Sequence, residues 1–450
     1  MGVHLSRGAA SGALAMELSR RAFLEACLAA AAGGPVHGAM EGGVVRRART
    51  RPPQVRQAPA EPVPWAALGE TLRQRYRDPR RHFVFEYYPW YAIDPVRHWD
   101  QWRRTPPVDI AASSMPLLGP YDSHAAAVIE QHARWIADAG VGVVNLSWWG
   151  IGSYSDRAVP LVMDVMRAHD IHVTFHLEPY GPERVERTVE DLRYLVHEYG
   201  ERRGWDALFL HERTDGSTGP VFKWFRTTLP LTEVDCHGVT QDVADYTPDG
   251  TWRSVLYDAR VEFAGTFDRV TLLADTVDVF RAARAGWDGV AVYDPTIAIA
   301  EWSGVAERAT EYGLPFTFPV NPGLDMIDPR VPESDCLSRI PPFVPDVGPL
   351  DWSSRDDRER AHAAAVERVQ QTLGQNLLLQ LDAELENVEE GFFLVYIVTF
   401  NEWHEGTQFE PMKPYGDLTE AERAVGYHNP ASGAFARLDR LSELFHRLGI

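Results

Sequence analysis

Leu394-Val395-Tyr396-Ile397-Val398-Thr399-Phe400-Asn401-Glu402 is an apolar run that ends on two polar side chains, and Trp403-His404-Glu405-Gly406-Thr407 follows it directly. A short apolar run of this kind with a glycine just beyond it reads as a buried strand delivering polar residues at its end. Seven earlier segments have the same character: 82–90, 141–149, 172–180, 220–225, 269–276, 289–294 and 315–320. Each is largely apolar and has Gly, Pro, Asp or Asn at or near an end. Helical apolar periodicity fills the gaps, most clearly at 125–139, 159–169, 183–198 and 305–312. Strands alternating with helices argue for a parallel sheet with crossover connections. Eight strands in succession predict the α/β class, as a (β/α)8 TIM barrel with extended loops. No Gly-x-Gly-x-x-Gly follows the first strand and no P-loop is present, so the sequence does not point to a nucleotide-binding open sheet.

Composition narrows the partner. The 450 residues carry 44 basic and 64 acidic side chains, a formal charge of −20. Nucleic acid is therefore not an expected partner, since phosphate binding needs clustered positive charge. Only Lys223 and Lys413 are lysines, so 42 of the 44 basic residues are arginines. A high-salt habitat and a GC-rich genome would each produce that bias. The chain has 14 Trp, 16 Tyr and 19 Phe, and fourteen tryptophans exceed what a core usually needs. Aromatic faces stack on sugars, and an acidic chain favours a neutral sugar over a polyanion.

The strand ends supply the chemistry. Strand one ends Glu86-Tyr87-Tyr88-Pro89-Trp90-Tyr91, strand two Ser147-Trp148-Trp149-Gly150, and strand three His176-Leu177-Glu178-Pro179-Tyr180. Strand five ends at Asp275, strand six at Tyr293-Asp294, strand seven at Asn321-Pro322-Gly323 and strand eight at Asn401-Glu402. A barrel brings all these ends to one mouth, where such enzymes build their sites. Carboxylates and indoles at one mouth describe a sugar site, so an oligo- or polysaccharide is the expected partner.

Glu402 and Glu405 are the expected catalytic pair. Glycosidic cleavage needs a proton donor for the leaving oxygen and a second carboxylate to manage the anomeric centre. Two glutamates on one loop can divide their pKa values. The plainer alternative is a solvated loop carrying two surface acids. Glu86 and Glu178 have their own plain alternative as ion-pair partners, and Asp275 and Asp294 as helix caps. His172, His176 and His404 raise metal binding, but neither His-Glu-x-x-His nor Cys-x-x-Cys spacing appears, so neither metal nor cofactor is expected.

Four stretches, Tyr87-Tyr88-Pro89-Trp90-Tyr91, Ser147-Trp148-Trp149-Gly150, His176-Leu177-Glu178-Pro179-Tyr180 and Phe400 to Thr407, together resemble glycoside hydrolase family 99. That family comprises endo-α-1,2-mannosidases and endo-α-1,2-mannanases on a (β/α)8 barrel, and the resemblance runs over roughly 82 to 415. It implies a retaining mechanism in which Glu402 acts as a base on the sugar 2-hydroxyl. That oxygen then closes a 1,2-anhydro sugar, while Glu405 protonates the leaving group and later activates water. It also implies that Trp149 meets the neighbouring sugar and that Tyr88, Glu178 and Asn401 line the pocket. Tyr87, Trp90, Trp148, His176, Tyr180, Tyr293, Asn321, Trp403 and His404 complete the expected substrate-binding set. The loops Tyr293-Asp294-Pro295-Thr296-Ile297 and Val320 to Asp325 depart from the family pattern. Two further readings stay open: a barrel that binds glycan without cleaving it, and a related domain that remodels a cell-surface polysaccharide.

At the amino terminus, Ser19-Arg20-Arg21-Ala22-Phe23-Leu24 precedes a short alanine-rich apolar run. This is the pattern of a twin-arginine export signal, and the run is too short for a stable membrane span. The expected organisation is a signal segment over 1–40, a Pro/Arg-rich linker over 41–65 and the catalytic barrel over 66–450. The expected location is the extracellular or cell-surface side of the membrane. Cys236 and Cys336 could pair, but two such cysteines are no disulfide framework.

Overall fold

A computed structural model describes residues 63–234, 238–325 and 350–450. The expectations placed on the signal segment, on most of the linker, and on Cys236 and Cys336 lie outside these residues. Eight parallel strands form the barrel wall: β1 Phe83–Tyr87, β2 Val143–Trp148, β3 His172–Leu177, β4 Thr218–Trp224, β5 Thr271–Ala274, β6 Gly289–Ala291, β7 Phe316–Thr317 and β8 Val395–Ile397. Each of the eight expected strands is present, and spatial order follows chain order around the ring. β8 pairs with β1, and Val320, just past β7, bridges to Ile397 and closes the circle. The fold is a (β/α)8 TIM barrel.

Around it lie α1 Trp65–Arg75, α2 Ala126–Asp138, α3 Tyr154–Ala168, α4 Thr188–Tyr199, α5 Asp249–Glu262, α6 Val279–Ala285, α7 Ile299–Glu311, α8 Arg355–Gln380 and α9 Ala436–Leu448. Residue parity sorts the side chains, because strand side chains alternate between faces. Phe83, Phe85, Val144, Leu146, Val173 and Phe175 point outward into the strand–helix layer. Val84, Val143, Val221, Leu273, Leu394 and Tyr396 pack together inside the barrel. α1 and α9 approach so closely that a Cβ on Gly69 would lie 1.7 Å from the Leu448 carbonyl oxygen, so only glycine fits there.

α8 escaped the periodicity reading for a physical reason. Its buried face interleaves Arg358, Arg368, Thr372, Asn376 and Gln380 with Ala361, Ala365, Val369, Leu373 and Leu377, which breaks up the apolar pattern. Those amides meet the backbone at the closing seam, where the strands are shortest. Asn376 Nδ2 donates to Phe318 O at 2.7 Å, and Gln380 brackets Leu394 by accepting from its N–H at 3.1 Å and donating to its carbonyl at 2.9 Å. Asn387 does the same for Phe316. Side-chain amides thus satisfy buried backbone groups that a longer ladder would have paired. Among the described residues no helix is long and apolar enough to cross a membrane.

Candidate active site

The carboxyl ends of the strands converge on an aromatic mouth containing Tyr88, Trp90, Tyr91, Trp99, Tyr121, Tyr293 and Trp403. Glu402 and Glu405 stand on the loop after β8, and both are buried, at 0% and 6% exposure. They are not solvated surface acids. Their surroundings differ. Glu402 Oε1 accepts the His404 backbone N–H at 3.1 Å and lies 3.4 Å from His404 Nδ1. Glu405 Oε2 accepts from the Tyr293 hydroxyl at 2.9 Å, and Tyr293 in turn accepts from the Tyr88 hydroxyl at 2.9 Å. Burial, then the carboxylate of Glu405, pushes the Tyr293 phenol well above its ordinary pKa. Burial, then Glu86, Glu178, Glu402 and Glu405, does the same to Tyr88. Both phenols therefore stay protonated and serve as donors.

Below the glutamates the barrel interior holds a polar quartet contributed by four successive strands. Glu86 on β1 accepts from Lys223 Nζ on β4 at 2.7 Å, from Asn145 Nδ2 on β2 at 2.8 Å, and pairs with His176 Nδ1 on β3 at 3.1 Å. Burial alone would raise the Glu86 pKa, but Lys223 and His176 outweigh it and hold it near about 2. Among the described residues His176 Nε2 is buried with no hydrogen-bond partner. That leaves one ring nitrogen available to a ligand hydroxyl. Glu178 accepts from Ser147 Oγ at 2.8 Å, and Ser147 accepts from Trp149 Nε1 at 3.1 Å, so a carboxylate and an indole are tied together at the ends of β2 and β3.

Of the expected substrate-binding residues, Tyr88, Trp90, Trp149, His176, Glu178, Tyr293 and His404 are brought to the mouth with the two glutamates. Trp90 stacks on His98 at 4.8 Å and on His404 at 6.3 Å, with Trp149 also 6.3 Å away. The expectation is corrected for Tyr87, Trp148 and Tyr180, which strand alternation or the following turn sends into the helix layer. Tyr87 bonds His132 of α2 at 3.1 Å, Trp148 Nε1 donates to Asp156 of α3 at 2.8 Å, and the Tyr180 hydroxyl donates to Asp191 of α4. Asn321 is also corrected: its side chain holds its own turn, donating to Pro319 O and accepting from Gly323 N and Arg368 Nε. Asn401 and Trp403 are positioning groups. The Asn401 amide clamps the backbone N–H and carbonyl of Tyr88, and Trp403 Nε1 donates to Glu410 at 2.9 Å.

Sequence reasoning missed Asn145, Lys223, Tyr121, His132 and Glu410. The last three form a buried cluster beneath the loop that carries Glu402 and Glu405, with the Tyr121 hydroxyl donating to Glu410 at 2.7 Å. None belongs to a spaced motif, and only the strand parity of Asn145 and Lys223 could have marked them as facing inward. Asp275 accepts the Tyr293 backbone N–H at 2.9 Å and so fixes the loop after β6. Among the described residues no group of three His, Cys, Asp or Glu is placed to hold a metal.

A barrel whose mouth joins paired glutamates, indoles and phenols belongs to the glycan-cleaving class, the glycoside hydrolases. The family model described as "Glycosyl hydrolase family 99" matches residues 78–222. The chain is 27% identical over 397 residues to the glycoprotein endo-alpha-1,2-mannosidase-like protein of Mus musculus, covering 81% of this chain and 75% of that protein. It is 27% identical over 374 residues to the glycoprotein endo-alpha-1,2-mannosidase of Rattus norvegicus, covering 75% and 69%. In fold it is similar to the GH99 endo-alpha-mannosidase from Bacteroides thetaiotaomicron, with TM-score 0.54 and 20% identity over 82% of this chain and 97% of that one. These matches support the assignment of this chain to glycoside hydrolase family 99.

Proposed function

We propose that this protein is an exported, retaining endo-α-glycosidase that cleaves α-mannose-containing glycans, with Glu402 and Glu405 as its catalytic pair. The observation that carries the reading is that both glutamates are buried on one loop after β8, each in its own hydrogen-bonding environment. Two acids on one loop are poorly arranged to flank a glycosidic bond as nucleophile and acid. They suit a reaction in which the substrate supplies the nucleophile. Glu402 takes the proton of the sugar 2-hydroxyl, and that oxygen attacks the anomeric carbon as the C1–O bond breaks. Glu405 gives its proton to the departing oxygen. Water then opens the 1,2-anhydro sugar, losing a proton to Glu405 while Glu402 returns one to the 2-oxygen. The Tyr293 hydroxyl supports the carboxylate that Glu405 becomes after its first proton transfer.

The mannose assignment is supported by the named activities of the relatives. The proposal of export is supported by Ser19-Arg20-Arg21-Ala22-Phe23-Leu24 and its apolar run.

The test incubates the full chain, Glu402→Gln and Glu405→Gln with α-mannan and with α-glucan, at low and at molar salt. Discrete oligosaccharides released from mannan by the native chain alone are expected. Retention of mannan without new reducing ends would instead identify a binding barrel. A fusion of residues 1–65 to a reporter that folds before export tests the route.

A further inference from the structure

Lys223 is one of two lysines among 44 basic residues, and it is fully buried inside the barrel. A chain that uses arginine almost everywhere else keeps a compact ammonium here. The surroundings give the reason. Nζ donates to Glu86 at 2.7 Å and lies 4.5 Å from the Tyr396 ring centroid and 5.2 Å from that of Tyr293. A compact ammonium on a flexible stem meets one carboxylate and stands near two phenol rings at once. Glu86 is itself held by Asn145 and His176, so the ammonium has a fixed seat.

Tyr293 is the ring that matters for chemistry, since its hydroxyl donates to Glu405. An ammonium near its ring attracts the electron-rich face, which holds the ring in place, and draws density from the phenol, which makes its O–H a stronger donor. We infer that Lys223, seated on Glu86, is a positioning residue that holds Tyr293 against Glu405 and thereby tunes the proposed acid. This rests on the reading of Glu405 given above. It assigns to an interior ion pair the control of one proton transfer at the mouth. Lys223 touches no reacting atom.

A double-mutant cycle of Lys223→Met and Tyr293→Phe tests the coupling, with kcat measured on an α-mannan oligosaccharide and on an α-mannoside bearing an acidic aryl leaving group. Acid catalysis is worth roughly 10²–10⁴-fold, so partial loss of its support should cost about tenfold or more on the oligosaccharide and little on the aryl substrate. In the Tyr293→Phe background the same Lys223 change should cost less than about twofold, because coupled residues are non-additive. Additive losses, or equal losses on both substrates, would overturn the inference while leaving the proposed function standing. Lys223→Met strands the Glu86 carboxylate, so Lys223→Met/Glu86→Gln provides a neutral pair if the single variant does not fold. A crystal structure of whichever variant folds gives a reading independent of activity. Tyr293 displaced from Glu405 is expected. Tyr293 still donating to Glu405 at an unchanged distance would refute the inference even if the native chain cleaved no glycan and the proposed function had failed.

Discussion

The Tyr293 hydroxyl reaches Glu405 Oε2 at 2.9 Å, joining the loop after β6 to the loop after β8 across the barrel mouth. Tyr293 is fixed from behind by Asp275, which accepts its backbone N–H, and from the side by Tyr88, whose hydroxyl donates to it. Glu405 is fixed by its backbone carbonyl, which accepts the Asp325 N–H at 2.9 Å. The proposed acid therefore has an orientation set by three different strands, as a proton donor to a fixed leaving group requires.

Tyr293→Phe removes that donor while keeping the ring. By comparison with the loss of one preorganised donor at a transition state, kcat should fall roughly 10²-fold. Stability should fall by only about 1 kcal/mol, the net worth of an ordinary hydrogen bond. Steady-state kinetics beside a thermal melt separate the two; a collapse of the melting temperature would mean that Tyr293 is chiefly structural.

Gly406→Ala tests the backbone under the pair. Gly406 sits at φ +66, and a Cβ there would stand 2.3 Å from the Asp325 carbonyl oxygen. A left-handed alanine costs roughly 1–2 kcal/mol, and the clash adds to it by pushing Asp325 away from Glu405. Loss of both activity and stability is expected, read from product release and urea unfolding. Native-like values for both would show that the loop has room the structure does not suggest.

Trp149→Ala addresses binding. Its half-buried indole stands 6.3 Å from Trp90 and is tethered to Ser147. Removing an aromatic platform worth about 1 kcal/mol should raise KM for a mannan oligosaccharide roughly fivefold with a smaller change in kcat. A fall confined to kcat would move Trp149 out of the binding role.

Acid should weaken the fold in two stages. His82, His172 and His362 are held down to about 4, in each case by burial first, and His211 lies well below its ordinary value for the same leading reason. These groups bind protons more readily when unfolded, so their contribution is complete above about 6.5 and is lost as pH falls toward 4. Glu86, depressed to about 2, contributes above its ordinary value of 4.5, and that contribution disappears between 4.5 and 2. Urea midpoints should decline from pH 7 to pH 4 and again below 4.5. A midpoint independent of pH between 7 and 4 would contradict the first stage.

The barrel was legible because eight apolar runs and the helical periods between them are local patterns, each set by a few neighbouring residues. The loop of the proposed catalytic pair stood out because Glu402 and Glu405 lie only three positions apart in the chain. Legibility ended where spatial neighbours are far apart in the chain. Tyr87 and Tyr88 look alike as a pair, yet alternation sends one to His132 and the other to Tyr293. Glu86 and Lys223 are separated by 137 positions and meet only because β1 and β4 both face the barrel interior. α8 hid its amide face because hydrophobic periodicity cannot register a helix that buries hydrogen-bonding groups. The sequence by itself thus determined the strands, their order and the residues at their ends. Tertiary structure alone decided which of those side chains share the mouth, because sheet closure and strand parity assign each to one face and one set of distant partners.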